Sequence, residues 1–213
     1  MMYIKRLVLG DVGSNCYILK DEKTGIGAVV DCGEYTEELR ASIIKAGIKE
    51  LKYILLTHGH FDHINGVAEL KNQFPGALIA IGEKDGENLY SKEKSLAECF
   101  GFILNEAFPD LLLKENDVLE LGETKLTVLD TPGHTFGGVC YVCHSDKCVF
   151  TGDTLFKLTI GRTDKYGGDT FTLLRSVEKL TELPDDYRVF PGHNIDTTIG
   201  AEKLRNRYLR MKK

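Results

Sequence analysis

The stretch Thr57-His58-Gly59-His60-Phe61-Asp62-His63 holds three of the six histidines of the chain and one carboxylate. It follows directly after the apolar run Tyr53-Ile54-Leu55-Leu56, which is typical of a short buried strand. His58 and His60 are two positions apart and therefore face the same side of an extended segment. Asp62 and His63 are adjacent, so they point in different directions, and we expect them at the start of a helix. So many metal-binding side chain types at one strand end predict a metal site.

Three further apolar runs also end in a residue type that binds metals, namely His134, Asp153 and His193. Two of these ends are Pro-Gly-His turns, in which proline ends the strand pairing and glycine lets the backbone turn sharply. The ends of strands in α/β sheets converge on one edge, so side chains distant in sequence meet there. We therefore expect these three residues to join the first stretch.

The expected donors are five imidazoles and two carboxylates, which is more than the four ligands of a single tetrahedral ion or the six of a single octahedral ion. Two divalent metal ions are the economical interpretation. Imidazole and carboxylate suit zinc, which is the expected metal, with iron or manganese as alternatives. A bridging carboxylate such as Asp153 would hold the cations near each other, and paired metals about 3.5 to 4 Å apart share a deprotonated water. A purely structural metal site would be closed, whereas seven donors around two ions leave positions for water.

Composition excludes several classes of protein. The chain has 213 residues, 42% of them hydrophobic, which is enough for the core of a single domain. Its net charge of -5 and the absence of a basic stripe argue against nucleic acid as a partner. No apolar run is long enough to span a bilayer and the N-terminus does not resemble a signal peptide, so we expect a soluble cytoplasmic protein with no membrane partner. The sequence carries no signal for an oligomeric state.

The cysteine-rich segment C-Y-V-C-H-S-D-K-C, residues 140–148, has two interpretations. It contains cysteines at a spacing that a zinc knuckle could use, but it also fits two strands joined by a turn at 144–147. We favour the strands, with His144 as a turn residue and all six cysteines reduced.

Hydrophobic periodicity predicts two successive halves that are rich in strands and closed by helices. Because such elements bury one face each, two packed sheets with helices outside are expected, with one sheet from each half. The predicted helices are Thr36–Ala46, Val67–Phe74, Leu96–Leu104, Thr170–Leu180 and a solvated tail from Ile199 that includes the basic residues of 203–213 and has no binding role. The predicted strands are Tyr3–Leu9, Cys16–Leu19, Gly27–Asp31, Leu51–Leu56, Leu78–Ile81, Val118–Leu121, Lys125–Leu129, Val139–Cys143, Cys148–Phe150 and Tyr187–Phe190.

The motif H58-G-H60-F-D62-H63, followed by His134, Asp153 and His193, resembles the metallo-β-lactamase superfamily over nearly the whole chain. This resemblance implies an α/β fold, the αββα four-layer sandwich. It also implies that His58, His60 and His134 bind a first metal, that Asp62, His63 and His193 bind a second, and that Asp153 bridges them.

Within that superfamily, T151-G-D-T-L-F156 with I160-G-R-T-D-K-Y-G-G-D169 is similar to the glyoxalase II-like hydrolases, which cleave S-2-hydroxyacylglutathione. The resemblance implies a small-molecule thioester as substrate, with Asp62 as the catalytic residue that orients the nucleophile. Long forms of glyoxalase II carry a C-terminal helical domain for glutathione; here we expect one domain, residues 1–213, without it.

Arg162, Lys165 and Tyr166 are candidates for contacts with a substrate carboxylate. Alternatively, Arg162 and Asp164 form a structural pair within this loop. Asn15-Cys16-Tyr17 is a weaker candidate for the rim of the site. Two related activities also fit the histidine pattern: a persulfide dioxygenase with a single iron, and a lactonase.

Overall fold

The first half of the chain forms one mixed sheet of six strands. The computed structural model describes residues 1–210. Strands β1 to β3 pair antiparallel and β3 to β6 pair parallel, in the order β1-β2-β3-β4-β5-β6. These strands are β1 Met2–Leu9, β2 Ser14–Asp21, β3 Ile26–Val30, β4 Glu50–Leu56, β5 Leu78–Gly82 and β6 Leu111–Leu113. The accompanying helices are α1 Glu37–Lys45, α2 Phe61–Ile64, α3 Val67–Gln73, a 3-10 helix at Glu83–Leu89 and α4 Ala97–Phe100.

The second half forms a second sheet of six strands in the order β14-β13-β10-β9-β8-β7, and a separate β11–β12 pair. In chain order the strands are β7 Val118–Leu121, β8 Thr124–Asp130, β9 Val139–Cys143, β10 Cys148–Gly152, β11 Leu155–Phe156, β12 Thr159–Ile160, β13 Arg188–Pro191 and β14 Thr197–Thr198. The helices are α5 Thr170–Leu180, α6 Ile199–Arg205 and α7 Arg207–Arg210.

The buried side chains form three layers of core. The central layer joins the two sheets, where Tyr17 from the first lies 5.3 Å from the ring of Phe150 and 5.5 Å from that of Phe190 in the second. An outer layer packs α1 and α3 on the first sheet, and another packs α5 and α6 on the second. The predicted α/β fold with four layers, α, β, β and α, is therefore confirmed.

Helix α1 shows how local sequence sets the boundaries of an element. Thr36 caps its N-terminus, because the Thr36 hydroxyl accepts a hydrogen bond from the Leu39 amide at 3.1 Å. Gly47 follows its C-terminus with φ +69°, a conformation that glycine adopts readily. The helix predicted for Thr36–Ala46 is thus confirmed within one residue at each end.

The prediction of a helix over Leu96–Leu104 is wrong in extent. Only Ala97–Phe100 is helical, because Leu96 with φ +65° and Gly101 with φ +74° are left-handed at its two ends. Periodicity also does not predict the short strands β6, β11, β12 and β14, each of two or three residues, or the 3-10 helix.

The interpretation of the cysteine-rich segment as two strands is confirmed. Cys143 on β9 lies opposite Cys148 on β10, and all six cysteines are free thiols. His144 lies in the connecting turn, where its Nδ1 is 2.9 Å from the Tyr187 hydroxyl. In the described part of the chain, none of the metal-capable clusters includes these residues.

The predicted helical tail corresponds to α6 and α7, which are separated at Asn206. The part of that prediction at residues 211–213 lies outside the described residues. Within residues 1–210, none of the helices combines the length and the apolar character needed to cross a membrane.

Candidate metal centre

The structure brings the seven predicted donor residues together at one end of the two sheets. Each donor follows a strand or opens a short helix, so the backbone that carries it is fixed by the sheets. His58 and His60 follow β4, Asp62 and His63 lie in α2, His134 follows β8, Asp153 follows β10, and His193 follows β13.

Three sets of three donors lie close enough together to hold a cation, and two of these sets share no residue. The third set, His58, His63 and Asp153, overlaps both. His58, His60 and His134 make up the three-histidine group, in which one ring nitrogen of each lies within 4.8 Å of the others and all three residues are buried. Asp62, His63 and His193 make up the mixed group. In it, His193 Nε2 lies 3.2 Å from Asp62 Oδ2 and 3.3 Å from His63 Nε2.

Asp153 lies between these two groups. Its Oδ2 is 3.5 Å from Nε2 of His134, in the three-histidine group, and 3.7 Å from Nε2 of His193, in the mixed group. Its Oδ1 is 3.5 Å from Nε2 of His63. One carboxylate therefore contacts donors of both groups, as a bridging ligand must.

Several of these atoms are buried without any hydrogen-bond partner. They are Nε2 of His58, His60 and His134 and Oδ1 of Asp153. An unpaired buried polar atom costs free energy, and native proteins rarely contain four in one place. A bound cation satisfies each of them, so the residues present fit divalent metal ions. Imidazole and carboxylate donors do not by themselves distinguish zinc from iron.

The imidazole rings of His58, His63 and His134 each form a hydrogen bond through their other nitrogen, Nδ1. Nδ1 of His134 donates to the Arg162 carbonyl at 2.8 Å, and Nδ1 of His63 lies 3.1 Å from Asp31 Oδ2. Nδ1 of His58 lies 3.1 Å from the Thr57 hydroxyl, which itself donates to Asp31 at 2.8 Å. In a neutral ring, a hydrogen on Nδ1 leaves the lone pair of Nε2 available for a metal bound through that nitrogen.

Sequence reasoning did not identify Asp31 or Thr57. The signal available was weak, since Asp31 is one carboxylate at the end of β3 and Thr57 is one hydroxyl beside a histidine. Their contribution depends on a contact between strands that spacing along the chain does not reveal.

The surroundings shift the pKa values of histidines in opposite directions in the two groups, downward for His58 and His60 and upward for His63. Burial, and then the neighbouring histidines, lower the pKa of His58 and His60 below the usual value of 6.5, so these rings are neutral and able to bind a cation. Burial opposes protonation of His63 too, but the carboxylates of Asp62 and Asp153 raise its pKa to about 10. Burial likewise opposes ionisation of Asp62, but His63 and His193 lower its pKa below the usual range.

Two glycines allow the turns to approach this closely. Gly133, before His134, has φ +122°, which L side chains rarely adopt. A Cβ atom on Gly192, before His193, would lie 2.3 Å from Asp153 Oδ1 and 2.8 Å from His63 Cε1. Any side chain there would displace the donors.

The donors open into a cavity of about 250 Å³. Val12, Phe61, Leu96 and Phe100 contribute its apolar lining, whereas Arg162 and Lys165 contribute cations. An apolar cavity with a few convergent polar groups is the usual form of a small-molecule site.

The three residues expected to contact a substrate carboxylate lie in different surroundings. Arg162 forms two hydrogen bonds with Asp164, at 2.7 and 2.8 Å, so the predicted structural pair is present and compensates its charge. Lys165 Nζ lies 5.2 Å from the centre of the Phe100 ring and 3.8 Å from Cys99 Sγ. Tyr166 packs edge-on against Phe136 at 5.5 Å and does not line the cavity.

The expectation that Asn15-Cys16-Tyr17 lines the rim is wrong. These residues are at most 1% exposed, because they form the buried start of β2. Asn15 Nδ2 donates to the Pro191 carbonyl at 2.8 Å, and the Tyr17 hydroxyl donates to the same oxygen at 2.6 Å. These two hydrogen bonds fix the position of the turn that carries His193.

Several known proteins are similar to this chain in sequence and in fold. A family model described as the metallo-beta-lactamase superfamily matches residues 9–193. A hydroxyacylglutathione hydrolase of Haemophilus influenzae is 38% identical over 201 residues, covering 93% of both chains. The crystal structure of BLEG-1, a B3 metallo-beta-lactamase, has a TM-score of 0.91 at 33% identity and covers 97% of this chain and 99% of its own. That of TTHA1623 in a di-iron-bound form has a TM-score of 0.86 at 32% identity, covering 96% and 100%. The chain therefore belongs to the metallo-beta-lactamase superfamily.

Proposed function

We propose that the protein is a dinuclear metallohydrolase that cleaves a thioester of the S-2-hydroxyacylglutathione class. The observation that carries the dinuclear part is Asp153, whose carboxylate lies within 3.7 Å of donors from both groups. The thioester part is supported by similarity to a relative named as a hydroxyacylglutathione hydrolase.

In this proposal, the three-histidine group holds one divalent cation, the mixed group holds the other, and Asp153 is shared. When bound, the cations lower the pKa of a water molecule to near neutrality and stabilise negative charge on the substrate oxygen. Zinc is the proposed metal. Iron remains a direct competitor for the same ligands, and manganese a weaker fit to five imidazoles.

Asp62 is the proposed catalytic residue. Its carboxylate lines the cavity and accepts a hydrogen bond from the attacking water, which orients a lone pair toward the carbonyl carbon. The apolar wall of Val12, Leu96 and Phe100 excludes bulk water from the reacting carbonyl. The leaving thiolate has a pKa of about 8.5, so it departs without full protonation by an acid of the protein.

Lys165 is the proposed contact for a carboxylate of the thiol half of the substrate. It lines the cavity, and no carboxylate pairs with it among residues 1–210, unlike Arg162. Its position over the Phe100 ring places a cation beside an apolar surface, which suits an amphipathic thioester. Arg162 then acts mainly through its backbone, because its carbonyl accepts the hydrogen bond from His134.

The test is turnover by protein loaded separately with zinc, iron and manganese. We expect hydrolysis of S-lactoylglutathione with kcat/KM above about 10⁴ M⁻¹s⁻¹, well above the rates for acyl homoserine lactones and β-lactams. Oxygen uptake with glutathione persulfide by a sample holding a single iron, together with an inert thioester, would instead assign the persulfide dioxygenase activity. Preferential turnover of lactones would assign the lactonase activity.

A further inference from the structure

The 3-10 helix Glu83–Leu89 carries a buried carboxylate that the proposed mechanism does not use. Asp85 is 1% exposed. Its Oδ2 accepts a hydrogen bond from the Gly59 amide at 2.9 Å, and its Oδ1 accepts one from the Gly137 amide at 2.7 Å. Gly59 lies between His58 and His60, and Gly137 lies in the loop between β8 and β9 that carries His134. One carboxylate therefore joins the two loops that supply the three-histidine group.

The contact between this helix and the two loops leaves no room for adjustment. A Cβ atom on Gly59 would lie 2.4 Å from Asn88 Cβ, and one on Gly137 would lie 2.4 Å from the Asp85 backbone nitrogen. The hydrogen bonds of Asp85 are thus made in a close-packed interface. Such an interface resists a change in the separation of the loops.

The charge of Asp85 also lacks a basic partner. Across residues 1–210, no lysine or arginine forms an ion pair with it, and its two oxygens are occupied by neutral backbone amides. Burying a carboxylate without an opposite charge is costly. A divalent cation bound by the three-histidine group would supply the missing positive charge.

We propose that Asp85 is a positioning residue for the three-histidine group. It holds the loops at the separation that the cation requires, and its negative charge favours a cation at this group. This inference rests on the metal-binding part of the proposed function. It assigns a role in that site to a residue outside the histidine motif, on a short helix that hydrophobic periodicity does not predict.

The test compares Asp85→Asn with Asp21→Asn, a matched control. Asp21 is also a buried carboxylate whose oxygens accept only backbone amide hydrogen bonds, but it lies at the opposite end of β2 from the site. We expect Asp85→Asn to weaken one of the two cobalt-binding steps by about 10- to 100-fold in competition with a chelator. We also expect it to alter the visible spectrum of the bound cobalt, because the ligand geometry changes.

Asp21→Asn should lower the melting temperature of the metal-free protein and leave both cobalt-binding steps unchanged. If Asp85→Asn behaves in the same way, Asp85 is merely structural and the inference is overturned. If the wild-type protein does not bind cobalt at all, the proposed function fails first, so the two failures are distinguishable.

A second measurement decides the matter if Asp85→Asn does not fold. Amide hydrogen exchange of Gly59 and Gly137 is measured by NMR in the metal-free wild-type protein. We expect both amides to be as protected as those of the central strands, because Asp85 holds them before any metal binds. Exchange at the rate of an unstructured loop would show that Asp85 does not organise the site, and would overturn the inference.

Discussion

Asp153 is the residue on which the two donor groups depend jointly. It follows β10, a central strand of the second sheet, and its side chain lies close to His63, His134 and His193. The other six donors are divided between the three-histidine group and the mixed group, although His58 and His63 also form a set with Asp153. A substitution of Asp153 therefore distinguishes a site that needs two cations from a site in which one cation is sufficient.

The substitution Asp153→Asn should reduce thioester hydrolysis by at least about a hundredfold and lower the content of both metals. The amide removes the negative charge and cannot bridge two cations through two equivalent oxygens. Metal analysis and steady-state kinetics are the measurements. Asp186→Asn, on the exposed Lys147–Asp186 pair, is the control and should behave as wild type. Retention of one full equivalent of metal with normal turnover would contradict the dinuclear account.

The substitution Lys165→Ala should raise KM for a carboxylate-bearing thioester by about tenfold and change kcat little, because Lys165 binds the substrate away from the reacting carbonyl. Steady-state kinetics with S-lactoylglutathione and with a thioester lacking carboxylates provide the comparison. Lys165→Arg should restore most of the affinity. An equal rise in KM for the uncharged thioester would show that Lys165 acts through packing with Phe100 and not on a carboxylate.

At the scale of residues, spacing along the chain was sufficient to predict which seven side chains the structure brings together. Each lies in a short motif at a strand end, so local pattern and spatial position agree. Asp31, Thr57 and Asp85 could not be identified in this way. They act through contacts between separate strands and loops, and a single aspartate or threonine in a sequence carries no signal of such a contact.

At the scale of elements, the side chain of Asp21 connects the β2–β3 hairpin of the first sheet to the β7–β8 hairpin of the second through hydrogen bonds. One carboxylate oxygen accepts hydrogen bonds from the amides of Lys23 and Thr24 in the β2–β3 turn. The other accepts from the amides of Glu123 and Thr124, in and after the β7–β8 turn. Burial opposes ionisation of Asp21, but these backbone hydrogen bonds outweigh it and lower its pKa from 3.8 to about 2.

Asp21→Asn should lower the free energy of unfolding at pH 7 by about 2 kcal/mol, because it removes charge-assisted hydrogen bonds to buried amides. The pKa of Asp21 is lower in the folded than in the unfolded state, so its contribution is present above about pH 4 and is lost as the pH falls from about 4 to 2. Urea unfolding of wild type and variant at several pH values measures this. The difference between them should shrink on acidification; a difference independent of pH would contradict the assignment.

Elements differ in how far their sequence predicts them. The long strands and α1 and α5 show clear periodicity and were predicted close to their observed ends. The segment 82–117 was not, because its elements are short and are fixed by contacts with other parts of the fold. Leu96 illustrates this, since a residue with good helix propensity adopts φ +65° there and sets the N-terminal limit of helix α4.

At the scale of the whole molecule, the site lies where the two sheets meet. The three-histidine group takes two donors from the first half and one from the second, and so does the mixed group. Asp153 comes from the second half. Each cation would therefore be bound by both halves, and packing of the central core, including Tyr17 on Phe150 and Phe190, sets their relative position.

The fold at this scale followed from the sequence because two successive halves of strands and helices allow few ways to bury their apolar faces. The identity of the metal and of the thiol half of the substrate did not follow. The identity of the metal depends on ligand chemistry that several cations satisfy. The identity of the thiol half depends on a cavity in which, among the described residues, Lys165 is the only lining cation without an ion pair.

A site with two cations is tested by anomalous diffraction, at the zinc absorption edge, from crystals of the zinc-loaded protein. We expect two peaks on either side of the Asp153 carboxylate, one within bonding distance of His58, His60 and His134 and the other of Asp62, His63 and His193. A single peak, or peaks at other ligands with these imidazoles unliganded, would contradict it.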